Sequence, residues 1–96
     1  MINLVCYDIA TATQSDARRL RAVAKLLERH GHRVQKSVFE VTLQEDGFAA
    51  LRHALLDTLD CRRDSLLIYR IEGAAHTHTE VHGPRDENDL FAKMIV

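Results

Sequence analysis

The feature that most constrains this fold is the segment at residues 2–9, which is mostly apolar until Asp8. Successive side chains of a strand point to opposite faces. The two faces would carry Ile2, Leu4 and Cys6 on one side, and Val5, Tyr7 and Ile9 on the other. Strands that are apolar on both faces are typical of the middle of a sheet covered on at least one side. We therefore predict a central strand that presents Asp8 where the chain leaves the sheet.

Hydrophobic periodicity and turn residues predict the other elements. The first is a helix that begins at an N-cap, Ser15 or Asp16, and ends at about residue 30, with Gly31 as its C-terminal cap. Two short strands or one bulged strand follow at 32–43. The remaining elements are a helix at 45–59, a strand at 65–71 and a short edge strand at 79–82. This order is that of a ferredoxin-like α+β fold, β-α-β-β-α-β with an additional short C-terminal strand and both helices on one sheet face. A second copy of the chain could cover the other face.

Length and cysteine content limit the class of protein. The 96 residues fit one domain, which we divide into a core at 1–72 and a tail at 73–96 that makes dimer or partner contacts. Two cysteines, Cys6 and Cys61, lie far apart and outside any C-x-x-C motif, which favours the reducing cytoplasm over a disulfide framework or a structural zinc site. No apolar run approaches the ~18 residues of a membrane span, so we expect neither a membrane segment nor a signal peptide.

The formal net charge of −1 hides an uneven distribution, because basic residues are concentrated at positions 18–36. On the first helix a row of cations lies opposite the apolar stripe, at Arg18, Arg21, Lys25 and Arg29. A solvated helix surface is the simplest interpretation. Because Glu28 is the only acid in this segment and arginine outnumbers lysine, we favour contacts to the phosphates of a nucleic-acid backbone, with little sequence preference.

Asp8 also has two interpretations. A strand-end aspartate most simply caps a turn. Its carboxylate could also be a ligand for a hard cation such as Mg²⁺. One or two carboxylates hold such a cation together with water and substrate phosphates. No second acid is nearby in sequence, but a twofold dimer would bring Asp8 of each chain together. Such a pair could hold a metal that activates water against a phosphodiester.

The histidines of the tail offer an alternative metal site. His76, His78 and His82 share strand parity with Glu80, so an extended segment would place all four on one face. Such a set is chemically suited to Zn²⁺ or Ni²⁺. It keeps open the hypothesis of a small regulatory or metal-handling domain.

Four blocks of sequence carry a family resemblance: V-C-Y-D-I at 5–9, R-L-R-A-V-A-K at 19–25, G-H-R-V-Q-K-S-V-F-E at 31–40 and D-S-L-L-I-Y-R at 64–70. In order and spacing they resemble the CRISPR-associated protein two family, the smaller member of the CRISPR spacer-acquisition pair. The likeness spans about residues 3–71 and is greatest to members from type I systems. The tail departs from the family pattern at its histidines and at 92–96.

The resemblance implies a ferredoxin-like homodimer with facing sheets, in which Asp8 pairs across the dyad as a Mg²⁺ or Mn²⁺ site. It implies catalytic roles for Asp8, Tyr7 and Phe39. With the basic face of the first helix, it indicates as nucleic-acid-binding residues Arg18, Arg19, Arg21, Lys25, Arg29 and Arg33. In the family the dimer bridges two copies of the larger CRISPR integrase subunit, and some members are reported as metal-dependent endonucleases on single-stranded RNA or duplex DNA.

Two functions therefore stay open beside the metal-handling hypothesis. One is a metal-dependent endonuclease centred on Asp8. The other is a non-catalytic scaffold that holds DNA for the integrase subunit. A basic face serves both, and a single aspartate does not decide between them.

Overall fold

The computed structural model describes residues 2–72 and 77–95, with the backbone alone at positions 91 and 93–95. Its elements in chain order are β1 (Ile2–Asp8), α1 (Gln14–Glu28), β2 (Gly31–Gln35), β3 (Val38–Val41), α2 (Glu45–Thr58), β4 (Ser65–Ile71), β5 (Thr77–His82) and α3 (Glu87–Ile95). The strands form one antiparallel sheet in the order β2-β3-β1-β4-β5. The predicted ferredoxin-like α+β fold is confirmed, and α3 adds a helix that the sequence analysis did not predict.

β1 is the middle strand of the sheet, as its apolar pattern on both faces predicts. It pairs with β3 on one side and, along its whole length, with β4 on the other, where Asp8 lies opposite Ser65. Tyr7 belongs to the main core with α1 and α2, whereas Cys6 belongs to a smaller cluster on the opposite face. Asp8 shares the parity of Cys6 and therefore belongs to the face away from these two helices.

The face opposite α1 and α2 is covered in part by α3. Leu90 of α3 is fully buried in a cluster with Cys6, Val38 and Leu67. The thiol of Cys6 donates a weak hydrogen bond to the Leu90 carbonyl oxygen at 3.7 Å. The chain thus supplies some of the cover that we expected from a second copy, and the homodimer stays a prediction.

The tail joins the same sheet through β5, which pairs antiparallel with β4 from Leu66 opposite His82 to Ile71 opposite Thr77. The predicted division into a core at 1–72 and a tail at 73–96 also stays a prediction. Within the described ranges, no helix is long and apolar enough to cross a membrane.

The start of α1 differs from the predicted one. Thr13 is the N-cap: its hydroxyl accepts a hydrogen bond from the Asp16 backbone N–H at 3.1 Å, and the Asp16 carboxylate accepts one from the Thr13 N–H at 2.9 Å. The predicted N-cap at Ser15 or Asp16 is wrong, because the acid belongs at the third helical position of this capping box.

Gly31 is the first residue of β2 and not a helix cap. A Cβ there would lie 2.2 Å from the Glu40 carbonyl oxygen.

A cluster of two buried carboxylates and two arginines fastens the chain that follows β1. Arg19 donates to Asp16 at 2.6 Å and to Asp64 at 2.7 Å, and both carboxylates are buried. Arg63 adds two hydrogen bonds to Asp16, at 2.7 and 2.8 Å. Asp64 also accepts from the Ala10 backbone N–H at 3.0 Å. The cluster therefore ties the exit of β1 both to α1 and to the turn before β4.

The hydrogen bonds of this cluster favour the charged forms of its two carboxylates although both are buried. Burial alone would raise the pKa of Asp16, but hydrogen bonds from Arg19, from backbone N–H groups and from Arg63 hold that pKa well below its usual range. Burial would likewise raise the pKa of Asp64, yet Arg19 and two backbone N–H groups lower it. The two carboxylates in turn raise the pKa of Arg19, Asp64 more than Asp16. All three groups are therefore charged at neutral pH.

We expect Asp64→Asn to lower the free energy of unfolding by about 1–3 kcal/mol, because it leaves buried donors without a charged acceptor. Asp57→Asn makes the same chemical change at an exposed position of α2 and should alter that free energy by less than about 0.5 kcal/mol. Urea unfolding of the two variants and the wild type measures the difference. Equal effects would contradict a stabilising role for the cluster.

The lowered pKa values of Asp16 and Asp64 predict a pH dependence of stability. A carboxyl group whose pKa is lower in the folded than in the unfolded chain stabilises the fold above the unfolded pKa, about 3.9. This contribution is lost as the pH falls through the folded pKa. We expect the free energy of unfolding to fall with acidification in this range, and to fall less in Asp64→Asn. Urea titrations at a series of pH values test this, and identical slopes would be evidence against it.

Candidate metal and nucleic-acid site

A groove of about 850 Å³ opens beside the end of β1, between α1 and the turn that joins β2 to β3. The charged residues on its wall are Asp8, Arg21, Lys25, Glu28, Arg33 and Lys36. Apolar side chains line it too, among them Ile9 and Leu20. Because cations outnumber acids on this wall, the groove is suited to an anionic ligand, and its volume is that of a typical small-molecule site.

Asp8 has the parity of the face away from α1, but as the last residue of β1 it also borders this groove, and it is partly open to solvent, with 26% of its side chain exposed. Its carboxylate accepts a hydrogen bond from Nε of Arg85 at 2.9 Å. Arg85 belongs to the loop between β5 and α3, on the far side of the sequence. No local pattern in the sequence links positions 77 residues apart, so a role for Arg85 at this site was not predicted.

Tyr7 and Phe39, which we predicted as catalytic, are buried in the core next to the groove. Their rings stack with centroids 6.2 Å apart. The guanidinium carbon of Arg33 lies 4.9 Å from the centroid of the Phe39 ring, in cation–π contact. Arg33 also donates to the Lys36 carbonyl oxygen at 2.9 Å. Phe39 therefore affects the groove indirectly, because its ring contacts and orients Arg33. The catalytic role of Tyr7 and of Phe39 stays a prediction.

The Tyr7 hydroxyl is a hydrogen-bond donor at neutral pH. Burial raises its pKa, and the positive charge of Arg33 offsets that rise only in part. A protonated phenol can donate to a phosphate oxygen but cannot act as a base.

The basic residues predicted to bind nucleic acid fall into three groups. Arg21, Lys25 and Arg33 line the groove. Arg18 on α1 and Arg29, the C-cap of that helix, are exposed outside the groove. Arg19 has only 16% of its side chain exposed and is bound to both carboxylates of the buried cluster. Arg19 therefore holds the segments around the site together through these ion pairs. Lys36, which the predicted set left out, lines the groove as well.

The donor set around Asp8 is sparse but chemically suited to a hard cation. Among the described residues, no group of three or more His, Cys, Asp or Glu side chains is placed to hold a metal ion. One carboxylate with access to solvent fits a largely hydrated Mg²⁺ or Mn²⁺, whose other ligands would be water, a phosphate or the carboxylate of a second chain. The site therefore fits a metal ion whose remaining ligands come from water, a substrate or a partner chain.

The alternative histidine site lies only partly within the described chain. His78, Glu80 and His82 of β5 share one parity, opposite Arg70, Ile68 and Leu66 of β4. His78 contacts Glu72 at 3.2 Å, and His82 contacts Glu80 at 2.5 Å. His76 lies outside the described residues, so this metal site stays a prediction.

Comparison with known proteins agrees with the fold and with the sequence blocks. The family described as CRISPR associated protein Cas2 matches residues 1–78. The CRISPR-associated endoribonuclease Cas2 1 of Moorella thermoacetica is 38% identical over 96 residues, which cover 100% of both chains. The CRISPR-associated endonuclease Cas2 of Halalkalibacterium halodurans is 37% identical over 95 residues, 99% of both chains.

A solved structure extends this similarity to three dimensions. The crystal structure of Streptococcus pyogenes Cas2 at pH 6.5 superposes with a TM-score of 0.69 at 41% sequence identity, covering 74% of this chain and 86% of that one. The type I assignment stays a prediction. On the matches over most of its length, in sequence and in structure, this chain belongs to the CRISPR associated protein Cas2 family.

Proposed function

We propose that this protein is a metal-dependent endonuclease of CRISPR adaptation, acting as a homodimer on RNA or DNA with Asp8 of both chains at its centre. One observation carries the proposal: the groove that joins Asp8 to the cations Arg21, Lys25 and Arg33. The names endoribonuclease and endonuclease of the similar Cas2 proteins support phosphodiester hydrolysis as the reaction.

The groove binds its substrate through the phosphate backbone. Arg21 and Lys25 approach from α1 and Arg33 from β2, so a phosphate chain in the groove meets cations on two sides. The neighbouring aromatic rings of Tyr7 and Phe39 are buried and do not offer a face for stacking bases. Contacts to phosphate carry little sequence information, so the proposed specificity is for a backbone and not for bases.

Asp8 of each chain would hold Mg²⁺ or Mn²⁺, with water and substrate phosphate oxygens as the other ligands. When bound, the metal supplies a water of lowered pKa and neutralises phosphate charge. Arg33, oriented by Phe39, stabilises the negative charge that develops on the phosphate, and the Tyr7 hydroxyl donates a hydrogen bond. Arg19 acts at a distance, because its ion pairs hold the exit of β1 in place.

A non-catalytic scaffold for the larger CRISPR integrase subunit is the second candidate. The observation that favours it is the continuation of the cation row past the groove, to the exposed residues Arg18 on α1 and Arg29 at its C-cap. A row of this length suits the backbone of duplex DNA better than a short single strand.

We expect Asp8→Asn to lower cleavage of single-stranded RNA or duplex DNA by at least about 100-fold, because the charge that would hold the metal is removed. Asp57→Asn on α2 is the control and should cleave as the wild type does. Cleavage is measured with purified protein in Mg²⁺ or Mn²⁺, and spacer acquisition in cells with the same variants. Undiminished cleavage by Asp8→Asn would contradict the endonuclease, whereas lost cleavage with normal acquisition would favour the scaffold.

Two double variants of α1 separate the groove from the outer basic face. One is Arg21→Gln with Lys25→Gln, and the other is Arg18→Gln with Arg29→Gln. Both pairs remove the same charge, the first from α1 and the second from α1 and its C-cap. We expect the first pair to lose binding of a single-stranded oligonucleotide and cleavage, because its side chains line the groove. The second pair should keep cleavage and weaken duplex binding, with the slope of log affinity against log salt reduced by about 0.9 for each phosphate that the variant no longer binds. Equal reductions of cleavage in both pairs would rule out a specific role for the groove.

A further inference from the structure

We propose that Arg85 is a built-in competitor of the divalent cation at Asp8: it neutralises the carboxylate in the metal-free protein and leaves it when the metal binds. The proposal rests on the metal site proposed above. Its basis is the 2.9 Å hydrogen bond from Nε of Arg85 to Oδ2 of Asp8. The Arg85 side chain is 60% exposed, so it has room to move away from the strand end.

The loop that carries Arg85 is held against the end of β4. The Arg85 backbone N–H donates to Oγ of the buried Ser65 at 2.8 Å, and Ser65 lies opposite Asp8 in the sheet. Two residues earlier, Gly83 has a φ of +97°, and a Cβ at that position would lie 2.1 Å from the Asp64 carbonyl oxygen. Only glycine permits this conformation at this distance. The chain therefore reaches Arg85 along a path fixed by its neighbours.

The other side of the loop is anchored by α3. The Asp86 carboxylate accepts from the Asp89 backbone N–H at 2.8 Å, and the Asp86 carbonyl oxygen accepts from the Leu90 N–H at 3.2 Å. Leu90 is itself fully buried against the sheet. The Arg85 backbone is thus held on both sides, while its side chain is largely exposed. Its contact with Asp8 follows from the fold of the tail.

Competition follows from the chemistry of the carboxylate. The Asp8 oxygen that accepts the Arg85 N–H is not available in the same geometry to a metal ion. The guanidinium also repels a divalent cation that approaches within a few ångströms. Since the pair is partly exposed, it is weak: pairs of this kind shift an equilibrium by about 1.4-fold to fivefold. Metal binding can therefore displace Arg85 at a moderate loss of affinity.

The test is the affinity for Mn²⁺, measured by calorimetry on the full-length protein without nucleic acid. We expect Arg85→Gln to bind Mn²⁺ about 1.4 to five times more tightly than the wild type. Arg62→Gln is the matched control, because Arg62 is 94% exposed in the turn before β4 and the same charge is lost. It should not change the affinity. In the Asp8→Asn background, Arg85→Gln should have no effect.

Each outcome decides the proposal. An affinity that is unchanged or weaker in Arg85→Gln, with binding still dependent on Asp8, overturns the competitor and leaves the proposed metal site standing. An equal gain in Arg62→Gln overturns it too, since net charge then accounts for the effect. If Asp8→Asn binds Mn²⁺ as the wild type does, or if neither wild type nor Arg85→Gln binds it, the metal site itself fails. Should Arg85→Gln not fold, Arg85→Met keeps the aliphatic stem and serves the same comparison.

Discussion

The ion pairs of Arg19 with Asp16 and Asp64 are the interaction on which the candidate site depends. They join the first turn of α1, the turn before β4 and, through the Ala10 N–H, the chain that leaves β1. Asp8 is the last residue of β1, and the groove has α1 as one wall. A shift of any of these three segments would change the distance between the Asp8 carboxylate and the groove cations. A pair of buried carboxylates therefore sets the geometry of a surface site.

Patterns over a few residues were enough to predict most of the fold. The apolar pattern at 2–9 predicted the central strand. The prediction of two short strands or one bulged strand at 32–43 agrees with β2 and β3, whose pairing shifts register between Arg33 and Gln35. Helix ends were less accurate, because Thr13 acts as a cap only by its reciprocal hydrogen bonds with Asp16. The helix α3 was missed, since its place is decided by the burial of Leu90 against the opposite end of the chain.

The candidate site was predictable where it depends on parity and was not where it depends on long-range contact. The position of Asp8 at a strand end, on the face of Cys6, followed from alternation along β1. The exposed row on α1 followed from helical spacing. Arg19 lies one position from this row, and only the fold shows that its guanidinium is directed at two carboxylates. Basic residues close in sequence therefore have different roles: Arg19 stabilises the fold, whereas Arg18 and Arg21 face solvent.

The order in which the chain is made gives the contact between Asp8 and Arg85 a further meaning. A ribosome releases Asp8 before Arg85, with 77 positions between them. Until Arg85 is made, the growing polypeptide carries the carboxylate without that guanidinium. The same holds for a product of premature termination or of proteolysis just after β4. Synthesis of the segment after β5, and not of the sheet alone, thus determines when this carboxylate acquires its ion pair with Arg85.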